Sequence, residues 1–434
     1  MDNYRPISKL SVLAKIFESL VSDQLKDFLI VNNILIPFQS GFRKGYSTIT
    51  AATKVVDDIV SAIDCKESCA ALFIHLSKAF DTVDHAILLK RLSKIGMSDN
   101  AIERFKNYLS SRYQCVTCEG IKSGEAELMV GVPQGSILGP LLFTIYINDI
   151  CTNVDVAAHL YADDTIIYST ARSPYEALNK LQDAFTVLQK NLLKLKLVLN
   201  SKKTKFMLFT HSRNVQDLPQ IITLYNQKIE RVSCYNYLGF LLDEKLTFNP
   251  HVDKLVKKLR VKLRFYYGNK ACFNLKARKE LVAATFLSVV DYGDILYMHA
   301  AKSVLRSLDS VYHSALRFVT KAEYFTHHCS LYSLSGWPPL SIRRQHHWLI
   351  FIYKAVLGLL PSYILVFSFV ENNRYNLRSN NSILFTTPAV KSEFGKIAFR
   401  YNAPSTWNAL QKQLKISTII PLNDFKLYVA ETFS

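Results

Sequence analysis

The chain has 434 residues, with 53 Lys and Arg against 35 Asp and Glu, a formal net charge of +18. Hydrophobic residues make up 49%, with only 14 Gly and 13 Pro, which excludes a disordered chain and a Gly/Pro-rich filament. The positive surplus points to a polyanionic partner, a nucleic acid or an anionic membrane surface. The length suits two to four domains.

The N-terminus, Met1-Asp2-Asn3-Tyr4-Arg5-Pro6, has no apolar run after a basic start and is not a secretory signal. Leu10, Leu13, Phe17 and Leu20 recur at three- and four-residue steps and predict a first helix. A loop, Gln39 to Ser47, leads to a second helical pattern around Ala51 to Ile63, in which Asp57-Asp58 reads as surface. Cys69 to Ile74 is a continuous apolar run that suits a buried strand. Helices are predicted over Asp84–Ile95, ended by Gly96, and over Asn100–Leu109, opened by Ser98 and Asp99. Gly131 to Ser136 is a turn that opens an apolar helix toward Ile150.

Val156 to Tyr168 reads as a hairpin with Asp163-Asp164 at its tip. Ser173, Pro174 and Glu176 cap a helix whose stripe is Leu178, Leu181, Phe185, Leu188 and Leu192. Leu195 to Leu199 and Phe206 to Phe209 read as strands, and the alternation predicts a mixed sheet. Beyond about residue 250 the chain is mainly helical, with short strand-like pieces and a closing helix after Glu371. Leu349 to Val370 is apolar, but Lys354 and Pro361 make it a buried helix ending at the proline rather than a membrane span. Cys115 and Cys118 form one CxxC with no second pair, and His327, His328 and Cys329 cluster far away, so reduced thiols are expected.

Two adjacent carboxylates at a tight turn can hold divalent cations close together, which nucleotidyl transfer needs. Asp57-Asp58 shows that such a pair alone carries little weight. The surrounding segments decide. Tyr161-Ala162-Asp163-Asp164 resembles the catalytic hairpin of reverse transcriptases. Gly131-Val132-Pro133-Gln134-Gly135-Ser136 with Leu138-Gly139-Pro140 resembles their nucleotide-pocket motif. Lys78-Ala79-Phe80-Asp81-Thr82-Val83-Asp84-His85 resembles their first catalytic segment. Tyr4 to Ser8 and Gln39 to Arg43 resemble their fingers, and Leu199-Asn200, Lys203-Thr204 and Tyr237-Leu238-Gly239 complete the series. The order and spacing resemble the reverse transcriptase of a non-LTR, LINE-like retrotransposon. Trp337-Pro338, Tyr353 to Ala355, Pro361 to Tyr363, and Ala403-Pro404 with Trp407-Asn408 resemble the C-terminal region of some such elements. An intron-encoded maturase would lack that last match.

The resemblance implies an α+β right-hand polymerase: truncated fingers (1–68), a palm with a mixed sheet and the catalytic hairpin (69–230), a helical thumb (231–300) and an α-rich C-terminal region (301–434). No upstream fingers strand or endonuclease domain is seen. The implied activity is RNA-directed DNA polymerisation with two Mg²⁺ ions. Asp163 and Asp164 would ligate the metals. Phe80 would exclude a ribose 2′-hydroxyl, Gln134 and Gly135 would line the dNTP pocket, and Arg5 would pair with the triphosphate. Lys203 would approach the pyrophosphate as an acid. The implied partners are an RNA template, a DNA primer, dNTPs and, as a ribonucleoprotein, the element's own RNA; no membrane is implied. Nuclear and cytoplasmic phases are expected.

One position departs from the family. Its aspartate three residues before the lysine of Lys78-Ala79-Phe80-Asp81 is here His75. Imidazole suits Zn, Cu or Ni better than Mg²⁺, and a negative charge is lost. Severely reduced polymerase activity is therefore expected, and a catalytically inactive nucleic-acid-binding remnant of the element is the second reading. The densest basic stretch, Lys254, Lys257, Lys258, Arg260, Lys262 and Arg264, surrounds Leu255, Leu259 and Leu263 on one helix. In the family this is the thumb helix along the template–primer duplex.

Overall fold

The computed structural model describes residues 7–212, 217–364, 368, 383–414 and 419–432. It divides into two compact units, one of residues 1–51 and 67–232, the other of 52–66 and 233–434. Arg5 and the stretch 369–382 lie outside the described residues.

The first unit opens with helix α1 (Val12–Val31) and the start of α2 (Thr48–Asp64). Strand β1 (Ser68–Ile74) is buried along its whole length, as its apolar run predicts. Helices α3 (His85–Lys94) and α4 (Asp99–Leu109) follow. Asp84 and Ser98 cap them by accepting from the Ile87 and Ala101 N–H groups. Two short ribbons pair β2 (Tyr113–Gln114) with β5 (Ala126–Glu127) and β3 (Thr117–Cys118) with β4 (Ile121–Lys122). Helix α5 (Leu138–Ile147) precedes the hairpin of β6 (Ala157–Tyr161) and β7 (Asp164–Ala171). Helix α6 (Pro174–Lys194) buries the predicted stripe, and Ser173 accepts from the Glu176 N–H. Strands β8 (Lys205–Phe209) and β9 (Glu230–Arg231) complete a sheet of order β6-β7-β1-β8-β9. It is antiparallel except between β8 and β9, so it is mixed.

One sequence expectation fails in this unit. Leu195 to Leu199 is not a strand. Its alternation is real, with Leu195 and Leu197 buried. However, Lys196 adopts a left-handed conformation (φ 54°), and the Leu195 and Leu197 N–H groups both bond the Leu192 carbonyl, closing the end of α6. Helix α1 forms as predicted, but its periodic stripe is not its buried side. Leu13, Phe17 and Leu20 are exposed by 80%, 63% and 61%, and the buried side is Glu18, Ser22, Leu25 and Leu29.

Glu18 explains that orientation. Its carboxylate accepts from the Ile137 and Leu138 N–H groups (2.7 and 3.4 Å) and from the Tyr108 hydroxyl (3.1 Å). Ile137, the residue before α5, offers no side-chain cap of its own. An acid at 3% exposure thus caps α5 from another helix, where the helix dipole favours negative charge. Burial pushes the Tyr108 phenol up to about 12, and the bond to Glu18 adds to this. Glu18→Ala should cost about 2–3 kcal/mol, because charged hydrogen bonds are lost and buried donors stay unpaired. Amide exchange at Ile137 and Leu138 should speed up accordingly; unchanged exchange there would contradict the cap.

In the second unit β10 (Cys234–Tyr237) pairs with β11 (Phe240–Asp243) and leads into α7 (Asn249–Gly268). Leu255, Val256, Leu259 and Leu263 form the buried side of α7. Short helices α8 (Leu275–Val282), α9 (Ser288–Val290) and α10 (Asp294–Tyr297) precede α11 (Lys302–Thr320), α12 (His328–Ser335) and α13 (Leu340–Val356). Helix α13 ends before Pro361, and among the described residues no helix is long and apolar enough to cross a membrane. After residue 382 the described elements are a 3₁₀ turn, α14 (Phe399–Leu414) and α15 (Leu422–Thr432), with no strand. Asp57 is not a surface residue. It is 4% exposed and accepts from the Arg400 N–H (3.0 Å) and Nε (2.9 Å), while Arg400 also bonds Asp58 (2.7 Å). The eight cysteines form no disulfide in the structure.

Candidate active site

Strand β1 sets the frame because it is the central strand and ends beside three other segments. Its last residue, Ile74, pairs with Thr165 of β7. One step further in that register, His75 faces Asp164. Asp164 itself pairs with Tyr161 across the hairpin, so Ala162 and Asp163 form a two-residue turn. Ala162 takes φ 55°, the left-handed region that such tight turns use. Asp163 and Asp164 are both half-buried.

His75 is fixed by its backbone. Its N–H donates to Thr204 Oγ1 (3.2 Å), and its carbonyl accepts from the Asn200 N–H (2.9 Å). Asn200 Oδ1 in turn accepts from the Lys203 N–H (3.1 Å), and Lys203 is exposed. The residues Leu199-Asn200 and Lys203-Thr204 are therefore brought to the end of β1, beside the Asp163-Asp164 turn.

The hairpin has a buttress that the sequence did not reveal. Phe38 and Ser40 exchange backbone hydrogen bonds with Leu160 (2.9 and 2.8 Å). Gln39 Oε1 accepts from the Gly41 N–H (2.8 Å) and the Ala162 N–H (3.3 Å). A Cβ on Gly41 would lie 2.4 Å from the Ala162 nitrogen, so only glycine fits against the turn. Sequence reading saw Gln39-Ser40-Gly41 as a motif but had no signal for a partner 120 residues away.

The nucleotide-motif residues meet one another a few residues beyond His75. Phe80 lies in a 3₁₀ turn, Ala79–Thr82, and stacks on Phe143 of α5 with centroids 4.3 Å apart. Its carbonyl accepts from the Val132 N–H (2.8 Å). Gln134 Nε2 donates to Asp81 Oδ1 (2.7 Å), and His85 Nε2 donates to the Gly131 carbonyl (2.8 Å). The Gln134 carbonyl accepts from the Ser8 N–H (2.8 Å). Gly135 takes φ 95°, and a Cβ there would sit 3.1 Å from the Ser8 carbonyl oxygen. Lys78, Asp81, His85, Arg112 and Gln134 line an open cavity of about 450 Å³. Asp84 pairs with Lys196 (2.6 Å), which together with the Ile87 N–H holds its carboxyl below the ordinary value.

Metal binding is the test of the donor set. Asp163, Asp164 and His75 offer two carboxylates and an imidazole. Hard Mg²⁺ prefers oxygen ligands, and two dications need more negative charge than two carboxylates supply. The set does not fit a two-Mg²⁺ centre. The six basic residues, Lys254 to Arg264, are on α7 in the second unit; five are exposed and Lys262 is half-buried.

The family "Reverse transcriptase (RNA-dependent DNA polymerase)" matches residues 1–242. A probable RNA-directed DNA polymerase from transposon BS of Drosophila melanogaster is 30% identical over 345 residues, 76% of this chain and 38% of that protein. The corresponding polymerase from transposon X-element of the same species is 28% identical over 76% of this chain and 37% of its own length. The polymerase of mobile element jockey, also from that fly, is 28% identical over 75% and 36%. The chain thus spans less than two fifths of the length of these relatives. An apo telomerase structure from Candida tropicalis aligns over 80% of this chain and 59% of that one at 11% identity, with a TM-score of 0.40, too low to bear on the fold. With the hairpin aspartates, the nucleotide motif and the first catalytic segment gathered on one sheet end, and with that match over more than half the chain, the protein belongs to the reverse transcriptase family, among those of non-LTR retrotransposons.

Proposed function

We propose that the chain is the RNA-directed DNA polymerase module of a non-LTR retrotransposon, with its polymerase activity severely reduced by His75. The observation that carries this is the register of β1 and β7, which ends at Ile74 opposite Thr165 and, continued one step, sets His75 opposite Asp164 at the position where the family has a carboxylate. Asp163, Asp164 and a carboxylate at position 75 would hold two Mg²⁺ ions, which would supply activation of the primer 3′-hydroxyl and charge stabilisation of the leaving pyrophosphate. Here Asp163 and Asp164 keep their carboxylates. Phe80, braced by Phe143, lies flat against the dNTP sugar and excludes a 2′-hydroxyl. Gln134 and Gly135 line the nucleotide pocket. Arg5 takes the triphosphate, and Lys203 offers a proton to the pyrophosphate. Primer extension by the chain beside its His75→Asp variant tests this reading.

Residues 1–68, 69–230, 231–300 and 301–434 are assigned as fingers, palm, thumb and C-terminal region. The thumb helix α7 presents Lys254, Lys257, Lys258, Arg260, Lys262 and Arg264 to the template–primer duplex of RNA and DNA. Phosphate neutralisation makes log affinity fall linearly with log salt, by about 0.9 per phosphate on duplex DNA. Reversing the charge of Lys257, Lys258 and Arg260 should weaken binding on every template and lower the slope by about 2–3. An unchanged slope would refute the thumb assignment. A catalytically inactive binder of the element's RNA is the second reading, favoured because the chain keeps the basic residues of α7 while position 75 has lost its carboxylate.

A further inference from the structure

The second unit holds a different group of donors, outside residues 1–242 of the family match. His327 precedes α12, and His328 and Cys329 begin it. One ligand atom from each lies within 4.8 Å of those of the other two, and all three residues are exposed. His313 of α11 stands beside them. Its ring stacks on that of His328 with centroids 5.5 Å apart and planes 16° apart. Its Nε2 is hydrogen-bonded to the Tyr332 hydroxyl (2.6 Å).

We propose that His327, His328 and Cys329 form a binding site for a zinc-type divalent cation, with the fourth position left to water. Two imidazoles and a thiolate suit zinc and the later transition metals, and discriminate against Mg²⁺ and Ca²⁺. With Zn–N of about 2.0–2.1 Å and Zn–S of about 2.3 Å, tetrahedral ligands lie about 3.3–3.6 Å apart. Closing from 4.8 Å to that spacing takes only about 1 Å of movement by exposed side chains. The Cys329 N–H reaches His327 Nδ1 at 3.4 Å, a long bond that coordination through Nδ1 would replace at little cost.

His313 is a positioning residue in this site. Stacking from one side and the edge of Tyr332 from another (5.9 Å, 64°) set the plane of the His328 ring before a cation arrives. A bound ion would tie down the turn from α11 to α12, which carries Tyr324 and Phe325 at 77% and 92% exposure.

Titration of the purified chain with Co²⁺ tests the site without reference to polymerase activity. One Co²⁺ per chain is expected, with a thiolate-to-metal charge-transfer band and tetrahedral ligand-field bands that Zn²⁺ abolishes and excess Mg²⁺ leaves in place. Cys329→Ser should remove the charge-transfer band, and His328→Ala should weaken binding by at least about 10-fold. A chain carrying Cys115→Ser and Cys118→Ser should keep both signals. Absence of Co²⁺ binding, a band that persists in Cys329→Ser, or a band that follows Cys115 and Cys118 would each overturn the proposal.

Discussion

Replacing Arg400 with alanine is expected to destabilise the second unit by about 3–5 kcal/mol at pH 7, the usual cost of orphaning a buried charge. Asp57 is 4% exposed, and Arg400 reaches it through both Nε and its backbone N–H. Burial raises the Asp57 carboxyl above its ordinary value even with the guanidinium beside it. Without Arg400 that carboxyl rises further. A carboxyl whose folded pKa exceeds its unfolded one destabilises while ionised, and the penalty fades as pH falls through the folded value. The loss should therefore be smaller at pH 5 than at pH 7. Asp58→Ala is the internal contrast: Asp58 is more exposed and also pairs with Lys54 (2.7 Å), so its removal should cost only about 1 kcal/mol. Urea unfolding followed by tryptophan fluorescence reads this directly, because Trp337, Trp348 and Trp407 all belong to the second unit. A loss for Arg400→Ala no larger than for Asp58→Ala would contradict a buried pair.

The same helix α2 holds the chain again about two turns later. Asp64 accepts from the Lys391 N–H (2.9 Å) and from Ser392 Oγ (2.6 Å). Burial opposes ionisation there, but the hydrogen bonds from Ser392 and Lys391 prevail and hold Asp64 below its ordinary value. Two carboxylates seven residues apart on one helix thus anchor residues 391–400.

What could be read from the sequence was whatever its local chemistry determines. The all-apolar run of β1, the capping residues of α6 and the acid pair at the β6–β7 turn each announce themselves within a few residues. Motif order then supplied the neighbourhood of His75, Phe80, Gln134 and Asp163. What could not be read depends on distant partners. Asp57 looks solvated until Arg400, 343 residues later, folds onto it. The α1 stripe looks like a core face because periodicity gives a repeat without saying which side is covered, and Glu18 decides that by capping α5. Leu195 to Leu199 alternates like a strand because Leu195 and Leu197 bury their side chains, yet the backbone is still closing a helix. Gln39 and Gly41 support the Ala162-Asp163 turn through contacts no period encodes.

The second large effect concerns His75. Restoring the carboxylate puts a third negative donor at the end of β1, opposite Asp164 in register, while the backbone bonds to Thr204 and Asn200 stay in place. Those bonds do not involve the imidazole, so they survive the substitution. Charge stabilisation of several kcal/mol at a metal centre corresponds to about 100-fold or more in rate. Template–primer affinity should barely change, because the basic face of α7 is untouched. His75→Ala should remain as slow as the natural chain, which separates the gain of a carboxylate from the loss of an imidazole.

The decisive measurement is primer extension on poly(rA)/oligo(dT) with Mg²⁺, run side by side for the chain and its His75→Asp variant at equal template–primer occupancy. The account predicts almost no extension by the chain and an increase of about 100-fold or more in the variant. Robust extension by the chain itself would contradict the loss of catalysis at His75. Equal inactivity of both would contradict the claim that the rest of the site is still assembled.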